Sequence, residues 1–163
     1  VLPDMISRGS GKIINFSGGG ATSPRPYFSS YAVSKTAVVR LTETVAEEMK
    51  ELGVAVDINA IAPGAVNTRL LDEIIAMGPE RAGQKEYELA LKRKAEGGED
   101  PKKAAALAVF LASHLSDGLS GRLISAVWDK WQDIPKHLPE IMNSDIFTLR
   151  RVTPKERGYH DWQ

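Results

Sequence analysis

Apolar positions along this chain fall into two alternating periods. Lys12-Ile13-Ile14-Asn15-Phe16-Ser17 is a short run rich in apolar and β-branched residues, and it reads as a buried strand. Gly18-Gly19-Gly20 and a loop containing Pro24 and Pro26 follow it. A helical period then runs from about Ser29 to Leu52, with Ala37, Val38, Leu41, Val45 and Met49 predicted on the inner face. Gly53 stops that helix. Val54 to Ile61 is the next strand-like run, closed by Pro63-Gly64. A strand, a long helix and a second strand form a crossover, which requires a parallel sheet.

The remaining pattern extends this α/β reading. Val1 to Arg8 reads as the last turns of a helix, broken by Gly9-Ser10-Gly11. Residues 68–98 form a charged helical insertion with apolar patches at Leu70-Leu71 and Ile74-Ile75. Asp100-Pro101 starts another helix, with Asp as the cap and Pro in the first helical position. Ala105, Leu107, Ala108, Phe110 and Leu111 carry it to about His114. Gly121 to Val127 is the third predicted strand, Pro135 to Met142 a short helix, and the basic tail from Thr148 irregular.

Composition narrows the class. A chain of 163 residues, 42% hydrophobic and 26% charged, suits one globular domain with a sizeable core. Lys+Arg and Asp+Glu both number 21, so no net field favours nucleic acid or an anionic membrane. The absence of Cys excludes disulfides and a cysteine nucleophile, and fits a cytoplasmic location. No apolar run is long enough to span a bilayer. His114, His137 and His160 lack metal-ligand spacing, so no metal site is expected. Glu43, Glu47 and Glu48 read as a solvated helix face, and the Lys92-Arg93-Lys94 run as salt-bridging surface.

Chemistry concentrates at Tyr31-Ala-Val-Ser-Lys35. Positions i and i+4 share one helix face, so the phenol and the ammonium project together. A cation beside a phenol favours its charged form and makes it a usable proton donor and acceptor. Asn59-Ala-Ile-Ala-Pro63-Gly64-Ala-Val66-Asn-Thr68 lies where the second strand ends. Ligands of open parallel sheets bind beyond those carboxyl ends.

On Ile13-Ile14-Asn15-Phe16-Ser17, Tyr31-x-x-x-Lys35, Asn59-x-x-x-Pro63-Gly64-x-Val66-x-Thr68 and Leu119-Ser120-Gly121-Arg122, the chain resembles the short-chain dehydrogenase/reductase family, in its compact single-domain branch. The resemblance covers residues 1 to about 128. It implies the C-terminal part of a doubly wound, Rossmann-type parallel-sheet domain, with about three strands and flanking helices. It further implies a hydride transfer between NAD or NADP and a carbonyl or secondary alcohol. Tyr31 would be the general acid/base and a cofactor contact, with Lys35 tuning it and holding the cofactor. Pro63, Gly64, Val66 and Thr68 would hold the nicotinamide end. A small-molecule substrate and a homo-oligomer follow from the same resemblance, with neither nucleic acid nor membrane as partner.

The departures from the family pattern shape further expectations. The family's substrate-binding Ser falls at Gly18 here, one residue after Ser17, so Ser17 takes that role only if the glycines bend the chain. Ser23, or no Ser at all, is the alternative. Trp128 and Trp131 stand near where the family commonly has glycines, which reads as local packing or as a distinct lid or subunit contact. Arg150-Arg151 reads as solvated tail or oligomer contact, or as reaching an anionic substrate group. Gly18-Gly19-Gly20 leads into loop rather than helix, so it is not a phosphate cradle. The whole chain, 1–163, is therefore expected to be a partial domain without the Gly-rich dinucleotide-binding half, inactive alone, with 129–163 a C-terminal extension. A non-catalytic binding or oligomerisation module is the alternative reading. A relative that uses Tyr-x-x-x-Lys on nucleotide-linked sugars is a third, disfavoured by the Asn-x-x-x-Pro-Gly loop.

Overall fold

The computed structural model describes residues 1–161. Three parallel strands, β1 (Ser10–Phe16), β2 (Ala55–Ala62) and β3 (Arg122–Ser125), pair in the order β1-β2-β3. Ile13 lies opposite Ile58, and Asn59 opposite Arg122. The central strand is buried along most of its length because helices cover both faces. Val56, Ile58 and Ala60 point to the side of α2 (Ser29–Glu51), where Val39 and Met49 meet them. Ile61 points the other way, into the cluster built by Leu107, Phe110 and Leu111 of α5 (Pro101–Ala112). Among the described residues β1 pairs on one side only. Along it runs α1 (Leu2–Arg8), whose Met5 side chain sits against Gly11.

The predicted α2 face is displaced by about one position. Val39, Thr42, Ala46 and Met49 are its buried residues, whereas Ala37 is exposed and Leu41 is 58% exposed. A buried threonine explains the shift. Thr42 Oγ1 donates to the Val38 carbonyl at 2.8 Å and accepts from Asn15 Nδ2 at 2.9 Å, so its polarity is satisfied inside the core. In α5, likewise, Ala104 is buried and Ala105 exposed.

The charged insertion is two helices, α3 (Arg69–Ala82) and α4 (Gln84–Glu96), with Gly78-Pro79 kinking the first. Leu71 and Ile74 turn inward and pack with Phe28 and Ala90. Asp100 caps α5 as its sequence promised, accepting the Lys102 amide at 2.9 Å. The third strand is shorter than predicted, because the chain turns at Ala126.

Asn59 fastens β2 to β3. Its Nδ2 donates to the Leu119 carbonyl at 2.7 Å, and its Oδ1 accepts the Arg122 amide at 3.1 Å. Truncation strands one buried acceptor and one buried donor, each worth about 1–3 kcal/mol when unsatisfied. We expect Asn59→Ala to destabilise the protein by about 2–4 kcal/mol, read as a drop in melting temperature. A melt within a degree of wild type would refute this clamp.

The segment after β3 returns to the sheet. A 3-10 turn (Trp131–Lys136) and α6 (Leu138–Met142) place Ile134 and Ile141 in the α5 cluster, with Trp131 on Phe110 at 5.4 Å between centroids. Buried Arg122 donates to the Ile146 carbonyl at 3.1 Å, and the Leu123 amide donates to the Phe147 carbonyl at 2.9 Å. Glu43, expected on a solvated face, is instead an anchor: its carboxylate accepts the Leu149 amide at 2.6 Å and pairs with Arg40. No helix among the described residues is long and apolar enough to cross a membrane.

Candidate active site

The carboxyl ends of β1, β2 and β3 converge on a cavity of about 920 Å³. That volume lies within the usual range for small-molecule sites. Tyr31, Lys35, Ser17, Pro63, Gly64, Val66 and Thr68, the residues singled out in the sequence, all line it.

Tyr31 sits in the first turn of α2, with Lys35 one turn on. Lys35 Nζ lies 5.8 Å from the Tyr31 ring centroid and donates to the Phe16 carbonyl at 3.2 Å. That bond ties the ammonium to the last residue of β1 and leaves it partly exposed to the cavity. The phenol oxygen lies against Gly18: a Cβ built there would come within 2.5 Å of it. Gly18 is extended, at φ 176°, so crowding rather than backbone strain keeps this position small. Gly20 lies along the ring edge, where a Cβ would meet Tyr31 Cε1 at 3.1 Å.

Ser17 follows the last residue of β1 and is buried. Its hydroxyl donates to the Lys35 carbonyl at 3.0 Å. Beyond it the chain bends into a 3-10 turn (Gly19–Ala21), the local departure from strand geometry that the glycines allow. Ser23 is exposed and also lines the cavity.

The opposite wall is the loop from Pro63 to Thr68. Gly64 adopts φ +87°, a conformation suited to glycine, and a Cβ there would strike Val127 at 2.6 Å. The loop is clamped from outside: the Glu99 amide donates to the Ala65 carbonyl at 3.0 Å, and Asn67 Nδ2 to the Arg93 carbonyl at 3.2 Å. Beside it, Ser125 Oγ accepts the Val127 and Trp128 amides at 3.2 and 3.1 Å, and Asp129 accepts the Ser125 amide at 2.7 Å. That turn presents Trp128 at the cavity, 83% exposed, while Trp131 packs inward. The two tryptophans therefore play different parts.

Arg25, on which the sequence pattern is silent, and Arg93 also line the cavity. Arg25 pairs with Glu86, and its guanidinium carbon lies 4.5 Å from the Phe28 centroid and 5.1 Å from that of Tyr31. Arg93, read as salt-bridging surface, does pair, with Glu86 at 3.7 Å, but it does so at the cavity wall. No periodicity flags the Arg25–Glu86 pair, because its partners lie on a loop and a distant helix, whereas Glu86 and Arg93 stand seven residues apart on α4. Arg150 pairs with Asp145 and Glu156 within the tail and is not among the lining residues. The three histidines are exposed.

Residues 1–78 match the family model described as short chain dehydrogenase. Human dehydrogenase/reductase SDR family member 4 is 33% identical over 124 residues, covering 76% of this chain and 42% of its own length. Oxidoreductase UcpA of Escherichia coli (strain K12) is 37% identical over 123 residues, covering 74% and 46%. The chain spans about half the length of the curated relatives it matches. Among solved structures, levodione reductase superposes with a TM-score of 0.63 at 28% identity, over 81% of this chain and 50% of that one. The gluconate 5-dehydrogenase from Burkholderia cenocepacia J2315, in complex with NADP and tartrate, gives 0.57 at 27% identity, over 77% and 46%.

Proposed function

Because this chain belongs to the short-chain dehydrogenase/reductase family, we propose that the whole protein is an NAD(P)-dependent oxidoreductase acting on a small carbonyl compound or secondary alcohol. One observation carries the reading. The Tyr31 phenol and the Lys35 ammonium share a helix turn and line one cavity with the Pro63–Thr68 loop.

These residues fit the nicotinamide end of a dinucleotide. The Lys35 ammonium is a partly exposed donor, and the Gly64 turn exposes peptide groups to a flat amide. Lys35, Pro63, Gly64, Val66 and Thr68 would hold it. When bound, the dinucleotide supplies or takes up the hydride. In reduction, Tyr31 gives its proton to the carbonyl oxygen as that oxygen gains negative charge. Oxidation runs the same path backward, with the proton returning to Tyr31. Lys35 offsets the charge left on the phenolate. The 163 residues alone are expected to be inactive, since among the described residues β1 pairs on one side only. The exposed stripe Val33, Ala37 and Leu41 on α2 supports assembly with a second copy.

The direct test is to follow nicotinamide absorbance while the whole protein, given NADPH or NADH, meets a panel of ketones. Oxidation of the nicotinamide with any ketone supports the enzyme. Neither binding nor turnover with either cofactor would overturn it in favour of a non-catalytic module.

Ser17 enters the same proposal as the substrate-side hydroxyl, its proton swinging from the Lys35 carbonyl to the bound oxygen. Magnitude separates this from a purely structural role. Losing a donor to the developing oxyanion costs about 10²–10³ in rate, whereas losing one neutral hydrogen bond costs about fivefold. We expect Ser17→Ala to lose at least tenfold more kcat/KM than Ser23→Ala. Equal effects would remove Ser17 from the mechanism.

A further inference from the structure

We infer that the cavity selects substrates carrying a carboxylate, read by Arg25 and Arg93 across Glu86. The inference rests on the oxidoreductase reading for its chemistry, but its charge arrangement stands on the structure. Arg25 pairs with Glu86 Oε1, and Arg93 Nη1 lies 3.7 Å from the same oxygen. Two guanidiniums thus share one carboxylate, which leaves one positive charge uncompensated within the group. The side chains are 21%, 35% and 18% exposed for Arg25, Arg93 and Glu86, and all three line the cavity.

Neighbouring charges do not cancel this excess by direct pairing. Glu99 is engaged by Lys103 at 2.7 Å, and Asp129 accepts the Ser125 amide. A partly desolvated cation gains most from an arriving anion, and guanidinium offers a planar carboxylate two parallel donors. The position is apt as well. The Arg25 guanidinium carbon is 5.1 Å from the Tyr31 centroid, so a short oxo acid, with carbonyl and carboxylate one or two carbons apart, can lie against both.

A latch between the Arg25 loop and α4 is the competing account. The loop is already docked without the triad: Tyr27 packs its ring on Gly83, where a Cβ would meet it at 2.6 Å, and Phe28 is buried with Leu71 and Ile74. A latch also needs only one guanidinium. The two accounts differ in sign at Glu86. As a latch member, Glu86 helps the site; as a competitor for the arginines, it weakens anion binding.

The test measures kcat/KM for acetoacetate and for its methyl ester in the whole protein, and the binding of malonate and of inorganic phosphate by calorimetry. Arg25→Met should lower the acetoacetate-to-ester preference about 10- to 100-fold, as expected for a lost charge-assisted hydrogen bond, and weaken malonate similarly. Glu86→Gln should shift both the opposite way. An unchanged preference in Arg25→Met, or a Glu86→Gln variant that also loses malonate, would overturn the inference. Phosphate binding as tightly as malonate would overturn its carboxylate specificity. If Arg25→Met fails to melt like wild type, the direction of the Glu86→Gln shift decides alone. Malonate binding with these shifts but no turnover of any ketone would sustain the anion site while defeating the oxidoreductase reading. Turnover of ketones by the wild-type protein without any preference for acetoacetate over its ester would do the reverse.

Discussion

Replacing Tyr31 by Phe should reduce hydride transfer in the whole protein by about 10²–10⁴-fold, the usual contribution of a positioned proton donor. Cofactor affinity should change little, since Lys35 and the Pro63–Thr68 loop remain. The substitution removes one oxygen and keeps the ring. That ring packs against the Phe28, Leu71 and Ile74 cluster and lies 5.1 Å from the Arg25 guanidinium carbon, contacts that Phe retains. Stability should therefore stay close to wild type, which separates a chemical loss from a folding loss. Steady-state turnover, a fluorescence titration with NADPH and a thermal melt check the three parts. Turnover within a few-fold of wild type would remove Tyr31 from the proposed mechanism.

The parallel sheet was legible because its signals are local. Lys12 to Ser17 and Val54 to Ile61 are largely apolar runs of strand length, and Gly53 and Pro63-Gly64 end the elements at the predicted places. The helical spacing of Tyr31 and Lys35 likewise needs only the chain between them. What failed depended on partners remote in sequence. Thr42 is buried because Asn15 bonds it across the helix–sheet interface, and that moves the inner face of α2 away from Leu41. Glu43 left the solvated class because Leu149, more than a hundred positions later, presents its amide.

The cavity divides in the same way. The lining residues that carry known motifs were readable, since short spacing fixes them. Arg25 and Arg93 were not, because the meaning of each depends on Glu86 and on how α4 docks beside the Arg25 loop. Trp128 and Trp131, three residues apart, were read as one feature and separate into an exposed ring and a packed one. The turn held by Ser125 and Asp129 makes that division, and a linear pattern does not reveal it.

Gly18 gives the second large effect. The family resemblance places a substrate-binding Ser there, so Gly18→Ser tests whether this site is merely missing a hydroxyl. The geometry argues otherwise. A Cβ at this position would stand 2.5 Å from the Tyr31 oxygen, against 3.4 Å or more for ordinary contact, so the phenol must retreat by about 1 Å. Retreat is hindered, because Gly20 closes on the ring edge and Arg25 lies 5.1 Å from its centroid. The extended backbone at Gly18 accepts any residue, so the protein should still fold. A displacement of that size at a reacting group costs on the order of 10²-fold in rate. The new hydroxyl cannot recover that loss while the proton donor is out of line. We therefore expect Gly18→Ala and Gly18→Ser to lose kcat/KM together, each by about 10²-fold, with melting temperatures near wild type. A Ser variant as active as wild type, beside an impaired Ala variant, would mean that the ring yields freely and that position 18 accepts the hydroxyl after all. Ser17 would then lose its claim to the substrate oxygen, and Gly18 would be a dispensable departure rather than the space that admits Tyr31.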